Sequence, residues 1–513
     1  MDDRKRDLER SDSFDELLEE SLPALPPEDV AAEVTPWRRA MRRVLVGMAL
    51  CTVTLNFLCL NYLLPAIGMA LTLLGFRALR RENGWFMACF LTAALRAAQL
   101  FPQLALNTTI LPGLFPEWAN AALSAAGFIL LFLQYFCLWR GLRAVREKAG
   151  LAPGAGAAGA PLLWYALVVA LALLQYNGLI IGLAMVVGYF FILRGLYRLS
   201  GALDEAGYAV RSAPVRLSDR WLAGILAAVL AAGCICGYLF GGSYPMRWVP
   251  VDPAEQSQVT DIRAKLLELG FPDYVLDDLT AEDIAACADA AEVVTDVHDH
   301  PVNDGRQVVT AYGSDRYTYT EVHTVYDVKE LRVTGVAVRL TGEENIWMVF
   351  HHFLWTADPG FYGTESIQLW PVYREISEGW ALDGDFTGRV LYDRDGRAFA
   401  APYYALGTRT YTSSSIFWGQ QTASDVFAEF SLPRNGTRQR GYVAYPVQSL
   451  NPGWLFSSWV NYTHQSSWLQ YPAVTAAEKR MTNGWNHAEA FLTLQDALQF
   501  FPSEDGTGTE VRN

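Results

Sequence analysis

From residue 251 to the end of this 513-residue chain there is a single cysteine, Cys287, and one thiol cannot make an internal disulfide. That region has to hold its fold by burial alone. The other six cysteines (Cys51, Cys59, Cys89, Cys137, Cys234 and Cys236) sit in apolar segments, where they behave as small hydrophobes. An animal ectodomain of this size usually carries several disulfides, so the pattern points to a bacterial protein. No Asp or Glu falls within an apolar span, which removes the partner that a proton relay or an ion pair inside a bilayer would need. Basic residues are scarce after residue 251. The net charge is −4 over 1–43, +8 over 44–250 and −18 over 251–513. An acidic domain lacks the clustered Lys and Arg that hold phosphate, so nucleic acid is not an expected partner. No nucleophile occupies a recognisable catalytic signature, so nothing marks the chain as an enzyme, although carboxylate pairs distant in sequence leave a hydrolase open, and no cofactor is expected.

Long apolar runs are what the first half has. Residues 1–36 are polar, acidic and broken by Pro23, Pro26 and Pro27, and read as a disordered cytoplasmic tail without a cleavable signal peptide. Thr35-Pro36-Trp37 reads as a helix start, with Trp37 and Arg38, Arg39, Arg42 and Arg43 at headgroup level. Residues 44–76 carry no charge. Arginines flank that run at both ends, and positive flanks belong inside, so it goes in and comes back, breaking near Asn61 to Pro65. Segments 86–106 and 119–139 read as full spans. The loop between them, Asn107–Trp118, has no Lys or Arg and belongs outside. Residues 162–193 form a second uncharged hairpin around Asn177-Gly178, and 221–240 crosses once more, which leaves everything from Gly241 outside. Whether either hairpin crosses fully or is re-entrant stays open at this level. Gly154–Gly159 spells a dinucleotide fingerprint, but no strand precedes it, and it reads as a flexible cytoplasmic linker.

The region after 251 reads as a second domain. Residues 251–300 look like a helical lead-in, with Thr280 opening a short helix through a capping box. From about Gln307 the pattern turns to short runs rich in Val, Thr, Tyr, Phe and Trp. Leu331–Leu340, Asn345–Trp355 and Gln439–Val447 are expected strands, and Asp393-Arg394-Asp395-Gly396 is a turn. Residues 301–502 are therefore expected to form a β-rich extracytoplasmic domain of β-sandwich or jelly-roll type, with Ala488–Phe500 as a final helix and 503–513 as a disordered tail. The fold class is thus an α-helical multi-pass membrane domain followed by a mainly-β extracytoplasmic domain.

Three constellations carry the candidate chemistry. Asp296, His298 and His300 lie at alternate positions, so on a strand they share one face, and an oxygen ligand would complete a metal site. The adjacent His351 and His352 would point to opposite faces and cannot share an ion. Nine of the 16 tryptophans lie between Trp347 and Trp485. Trp355, Trp370, Trp380 and Trp418 would stack on sugar faces if they line one surface, and would be core filler if they do not. Arg96 is the one charge within a clear span, with Gln99 and Gln103 on its helical face. A cation at mid-membrane costs about 2.5–3.5 kcal/mol on insertion scales, so Arg96 is a candidate site for an anionic substrate or lipid head.

Val34-Thr35-Pro36-Trp37-Arg38-Arg39, Leu60-Asn61-Tyr62-Leu63-Leu64-Pro65 and Leu74-Gly75-Phe76-Arg77 resemble uncharacterised multi-pass membrane proteins of Gram-positive, gut-type bacteria. Leu269-Gly270-Phe271-Pro272 with Asp278-Leu279-Thr280 resembles a short helical module of secreted proteins from such bacteria. The resemblance implies a habitat and supplies no activity. The expected function is a cell-surface membrane protein, embedded in the lipid bilayer, whose extracytoplasmic domain binds or senses an extracellular ligand, with cell-wall glycan or peptide as candidates. Transport or lipid handling around Arg96, and an extracytoplasmic hydrolase, are the alternatives.

Overall fold

The computed structural model describes residues 34–511 apart from 54–58, 153–155, 175, 177, 212, 214–215, 303–304, 315–316, 326–327, 343–344, 374–378, 416–418, 452, 483–489 and 503–509. The acidic tail before residue 34 and most of the expected tail after 502 lie outside the described residues. The chain divides into two compact units. One comprises residues up to 105 with 115–233, and the other comprises 106–114 with 234–513.

The first unit is helical. Strand β1 (Val34–Pro36) pairs with β2 (Ala209–Arg211). Between them in the chain run α1 (Trp37–Thr52), α2 (Leu60–Leu79), α3 (Gly84–Leu106), the single turn α4 (Leu111–Leu114), which belongs to the second unit, α5 (Glu117–Lys148), α6 (Gly156–Leu173) and α7 (Leu179–Glu205). Helix α8 (Asp219–Phe240), whose last turns also count with the second unit, follows β2. Six of these, α2, α3 and α5 to α8, are long and apolar enough to cross a membrane, so this is a membrane protein.

Both uncharged runs are pairs of helices. The first breaks between Thr52 and Leu60, earlier than Asn61–Pro65. Pro65 lies inside α2, where it forfeits one intrahelical bond, and packing against α1 outweighs that loss. The packing is close because Gly47 and Gly68 face each other. A Cβ on Gly47 would lie 2.6 Å from the Gly68 carbonyl oxygen, and one on Gly68 would lie 2.7 Å from that of Gly47. Trp37 is buried and donates its indole N–H to Ser200 Oγ at 3.0 Å, so it is a core residue and not a headgroup anchor. Gly156–Gly159 forms the first turn of α6, which corrects the linker reading there, and only residues 154–155 of that stretch lie outside the described residues.

The second unit is mostly antiparallel β. After β3 (Val249–Pro250) come the short helices α9 (Thr260–Glu268), α10 (Asp273–Leu276) and α11 (Ala281–Ala285). Thr280 caps α11 by accepting from the Asp283 amide. The lead-in then ends. Residues 290–300 are not helical but form β4 (Ala290–His300), because Val293, Val294, Thr295 and Val297 favour the pleated surface. There follow β5 (Arg306–Ser314), β6 (Tyr317–Val325), β7 (Leu331–Leu340), β8 (Ile346–Trp355), β9 (Glu365–Trp370), β10 (Trp380–Leu382), β11 (Thr387–Arg394) and β12 (Arg397–Ala401). Next are β13 (Ala405–Ser415), β14 (Gly419–Phe430), β15 (Thr437–Ser449), β16 (Phe456–Gln465), helix α12 (Ala476–Met481), β17 (Phe491–Phe501) and β18 (Glu510–Val511). The expected final helix is thus β17, a strand, and the expected tail contributes β18 to its edge.

One sheet runs β3-β12-β11-β15-β8-β7-β4, with β10 added beside β15, and the other runs β13-β14-β9-β16-β17-β18. Asp395 and Gly396 both have positive φ (52° and 72°) and join β11 to β12 directly, the geometry of a type I′ hairpin turn. The sheets pack face to face through a core that includes Leu331, Val333, Phe353 and Trp355 from one and Ile367, Val460, Tyr462 and Leu498 from the other. The opposite face of the first sheet, with Val336, Val338, Met348 and Phe350, is covered by the helical lead-in through Leu266, Phe271, Val275 and Ile284. Strands β7 and β8 are therefore buried on both faces, and both of their residue sets are mainly apolar, with Thr334, His351 and His352 as buried polar exceptions.

Candidate metal centre

Strand β4 is the edge of its sheet. Asp296, His298 and His300 face Gly335, Val333 and Leu331 of β7 in register, so all three side chains lie on the face turned toward the second sheet. Apolar packing gives out along this edge, and a fourth polar side chain enters from β17. Asp496 Oδ1 lies 3.0 Å from His298 Nδ1, and Asp496 Oδ2 lies 3.1 Å from His300 Nε2. Asp296 Oδ1 is 3.6 Å from His298 Nε2. One ligand atom each from His298, His300 and Asp496 lies within 4.8 Å of the other two.

Zinc–ligand bonds of about 2.0–2.2 Å put tetrahedral ligand atoms about 3.3 Å apart, so small side-chain rotations suffice to close this set on an ion. Two imidazoles and a carboxylate are borderline donors suited to zinc and neighbouring divalent transition metals, and they fit calcium or magnesium poorly. The site is partly open to solvent. The side chain of His298 is 49% exposed, against 12% for Asp496 and 13% for Asp296.

The two carboxylates are driven apart electrostatically. Burial opposes ionisation of Asp496, but its bond from His300, the Ala497 amide and the charges of the two histidines hold its pKa below the usual carboxylate value. Burial raises that of Asp296, and neighbouring Asp496 adds to the rise, partly offset by His298. Asp496 is thus a preformed anionic ligand, and Asp296 is the carboxyl that takes up a proton first.

Behind the cluster, Gly335 leaves a cavity of about 10 Å³, on the order of one water, between Asp296, His298, Asp496 and His351. A Cβ there would lie 2.9 Å from Leu498 Cβ. His351 Nε2 pairs with Ser458 Oγ at 2.8 Å, its Nδ1 is enclosed without a partner among the described residues, and burial pushes its pKa down to about 4. His352 points to the other face and bonds Asp278 Oδ2 at 2.9 Å, so the two adjacent histidines do not share a site.

The tryptophan surface is not assembled as expected. Trp355 and Trp380 are each 1% exposed, in the core between the sheets. Their indole N–H groups donate to Tyr462 Oη and to the Trp454 carbonyl, both at 3.1 Å. Trp370 is half-buried at the end of β9, and Trp418 lies outside the described residues. The inward face of a sandwich is where a large ring buries most area, so Trp355 and Trp380 fill the core and cannot stack on a sugar. Arg96 lies in the helical unit and donates from Nη1 to Gln134 Oε1 at 2.7 Å.

Asp496 is the candidate metal ligand that the sequence pattern did not single out, because 488–500 reads as a helix. A period-two signal was present: Leu492, Leu494, Asp496, Leu498 and Phe500 alternate with Thr493, Gln495, Ala497 and Gln499, which places Asp496 on the inward face. No protein-family model matches the chain, and no curated protein matches it.

Proposed function

We propose that this is a cell-surface membrane protein whose β domain lies outside the cell and binds a divalent transition-metal ion, zinc by its donor chemistry, through His298, His300 and Asp496, with Asp296 beside them. The observation that carries this reading is the convergence of three donors from two different sheets at a solvent-open edge. A metal-loaded site at this edge would serve metal sensing or metal-dependent recognition of an extracellular ligand. Glycan stacking loses its support with Trp355 and Trp380 in the core.

The outside placement rests on charge. The helix ends and turns bearing Arg77, Arg80 and Arg81, then Arg140, Arg143, Arg146 and Lys148, then Arg194 and Arg198 belong inside. Ion pairs support one common side for these ends, since Arg43 and Arg77 both reach Asp219 (2.5 and 3.4 Å), and Glu82 takes Lys148 (3.7 Å) and the Tyr208 hydroxyl (2.6 Å). With Arg194 and Arg198 toward the end of α7 inside, α8 exits outward into the β domain.

The test is zinc titration of the full chain in detergent after chelator stripping. We expect one ion per chain and a rise in melting temperature. A ligand confined to the folded state adds about 2.7 kcal/mol at a hundredfold excess over Kd. The double variant His298→Ala, His300→Ala should lose the ion and the thermal shift. Equal zinc retention by the double variant, or none by the parent, would refute the reading.

A further inference from the structure

The helical unit holds a second site that the metal reading does not use. Arg96 is residue thirteen of the twenty-three in α3, with no other charge between Gly84 and Leu106. Its hydrogen bond among the described residues goes to the neutral amide of Gln134 on α5, so its charge is solvated there but not neutralised. A cavity of about 320 Å³, at the lower end of the roughly 300–1,000 Å³ typical of small-molecule sites, opens beside it between α2, α3 and α5.

The lining of this cavity has two characters. Gln99, Gln103 and Ser124 line it with Arg96 as a polar stripe, and the seven-residue step from Arg96 to Gln103 spans about 10 Å along the helix toward its C-terminal end. Gln99 is held in place by donating to the Leu123 carbonyl at 2.7 Å. Room for it comes from Gly127 on α5, where a Cβ would lie 3.3 Å from Gln99 Nε2. Pro65, Met69, Leu100, Phe128 and Leu131 supply apolar walls.

We propose that this cavity binds an anionic amphiphile, with its oxyanion head on the Arg96 guanidinium and its alkyl chain against the Leu100, Phe128 and Leu131 walls. Guanidinium is the side chain best matched to a phosphate or carboxylate head, through its planar fork of donors. The apolar walls would give nothing to a small hydrophilic anion, which is why an alkyl-bearing ligand is specified. A phospholipid and a fatty acid share this chemistry, and the bilayer supplies either one laterally.

The test uses the full chain in a neutral detergent, with thermal unfolding followed on addition of phosphatidylglycerol, oleate, phosphatidylcholine or inorganic phosphate. One or both anionic amphiphiles should raise the melting temperature and saturate, and which of them does so names the source of the head. Phosphatidylcholine and inorganic phosphate should not. Arg96→Gln should abolish the shift and Arg96→Lys should retain part of it. Arg96→Gln removes an unneutralised cation from an apolar helix, so the variant alone should be no less stable than the parent, which separates lost binding from lost folding. An undiminished shift in Arg96→Gln, an equal response to phosphatidylcholine, or saturation by inorganic phosphate alone would each overturn the proposal. Zinc stoichiometry is expected to be unchanged in both Arg96 variants, so this site and the metal site stand or fall separately.

Discussion

Asp278→Ala is expected to destabilise the β domain by about 3–5 kcal/mol, read as a lowered denaturation midpoint of the full chain followed by tryptophan fluorescence. Asp278 is 2% exposed at the junction of the helical lead-in and the first sheet. Its Oδ1 accepts from Arg440 Nε at 2.7 Å and its Oδ2 faces His352 Nε2 at 2.9 Å. Its main-chain carbonyl accepts from Arg389 Nε at 2.9 Å, and Arg389 in turn reaches Glu255 at 2.9 Å. Arg440 is 6% exposed and continues to Asp393 at 2.9 Å. Removing the carboxylate leaves the Arg440 cation buried with only part of its neutralisation, and that exposed imbalance is the main cost. The lead-in is pinned to β11 and β15 by this cluster, so its apolar contacts through Leu276 and Leu279 loosen with it.

The same substitution has a defined pH signature. Burial opposes the charge on Asp278, but His352 and Arg440 outweigh it, and the folded pKa lies below the ordinary value of 3.8. A carboxyl with a depressed folded pKa contributes stability that is fully present above its unfolded pKa of about 3.9 and is lost as the pH falls through the folded value. The gap between parent and variant should therefore be flat near neutral pH and close below about pH 4. A gap under about 1 kcal/mol at neutral pH would mean that the cluster relaxes around the missing group.

Trp380→Ala is the second large effect, expected at about 3–5 kcal/mol from lost burial and the cavity left behind. The ring lies between Phe456 at 4.8 Å, Phe500 at 6.2 Å and Trp347 at 6.2 Å, centroid to centroid, and so bridges the two sheets. Its loss also leaves the Trp454 carbonyl without its indole donor. The readout that separates core from ligand surface is the pairing of the two measurements. A core Trp lowers the denaturation midpoint and leaves zinc stoichiometry untouched. A Trp that served a ligand would leave the midpoint within about 0.5 kcal/mol of the parent, as surface substitutions usually do.

Much of the architecture can be read from local pattern. The six helices fit for a membrane are legible because roughly 20 consecutive apolar residues have nowhere stable to go but a bilayer or a large core. Strands β7, β8 and β15 are legible from β-branched and aromatic runs punctuated by turn residues, and the Asp395-Gly396 turn from the positive φ it requires. Errors fall at the ends of such patterns. The first hairpin breaks between Thr52 and Leu60 and not at Pro65, which stays inside a helix that packs closely on its partner through Gly47 and Gly68. Residues 491–501 form a strand because pairing with β16 along ten residues overrides a sequence that also suits a helix.

The sequence by itself determined that Asp296, His298 and His300 share a face if they lie on a strand, because alternation is a property of the backbone, while pairing with β7 decided that 290–300 is a strand and not part of a helical lead-in. It also determined that His351 and His352 are divided, and that a lone cation lies in α3 without an acid in the spans. Only the tertiary structure decided which face is inward. That choice put Trp355 and Trp380 in the core and brought Asp496 to His300 across 196 residues of chain. Burial depends on which sheet a face meets, and this meeting is a long-range contact that no local period encodes.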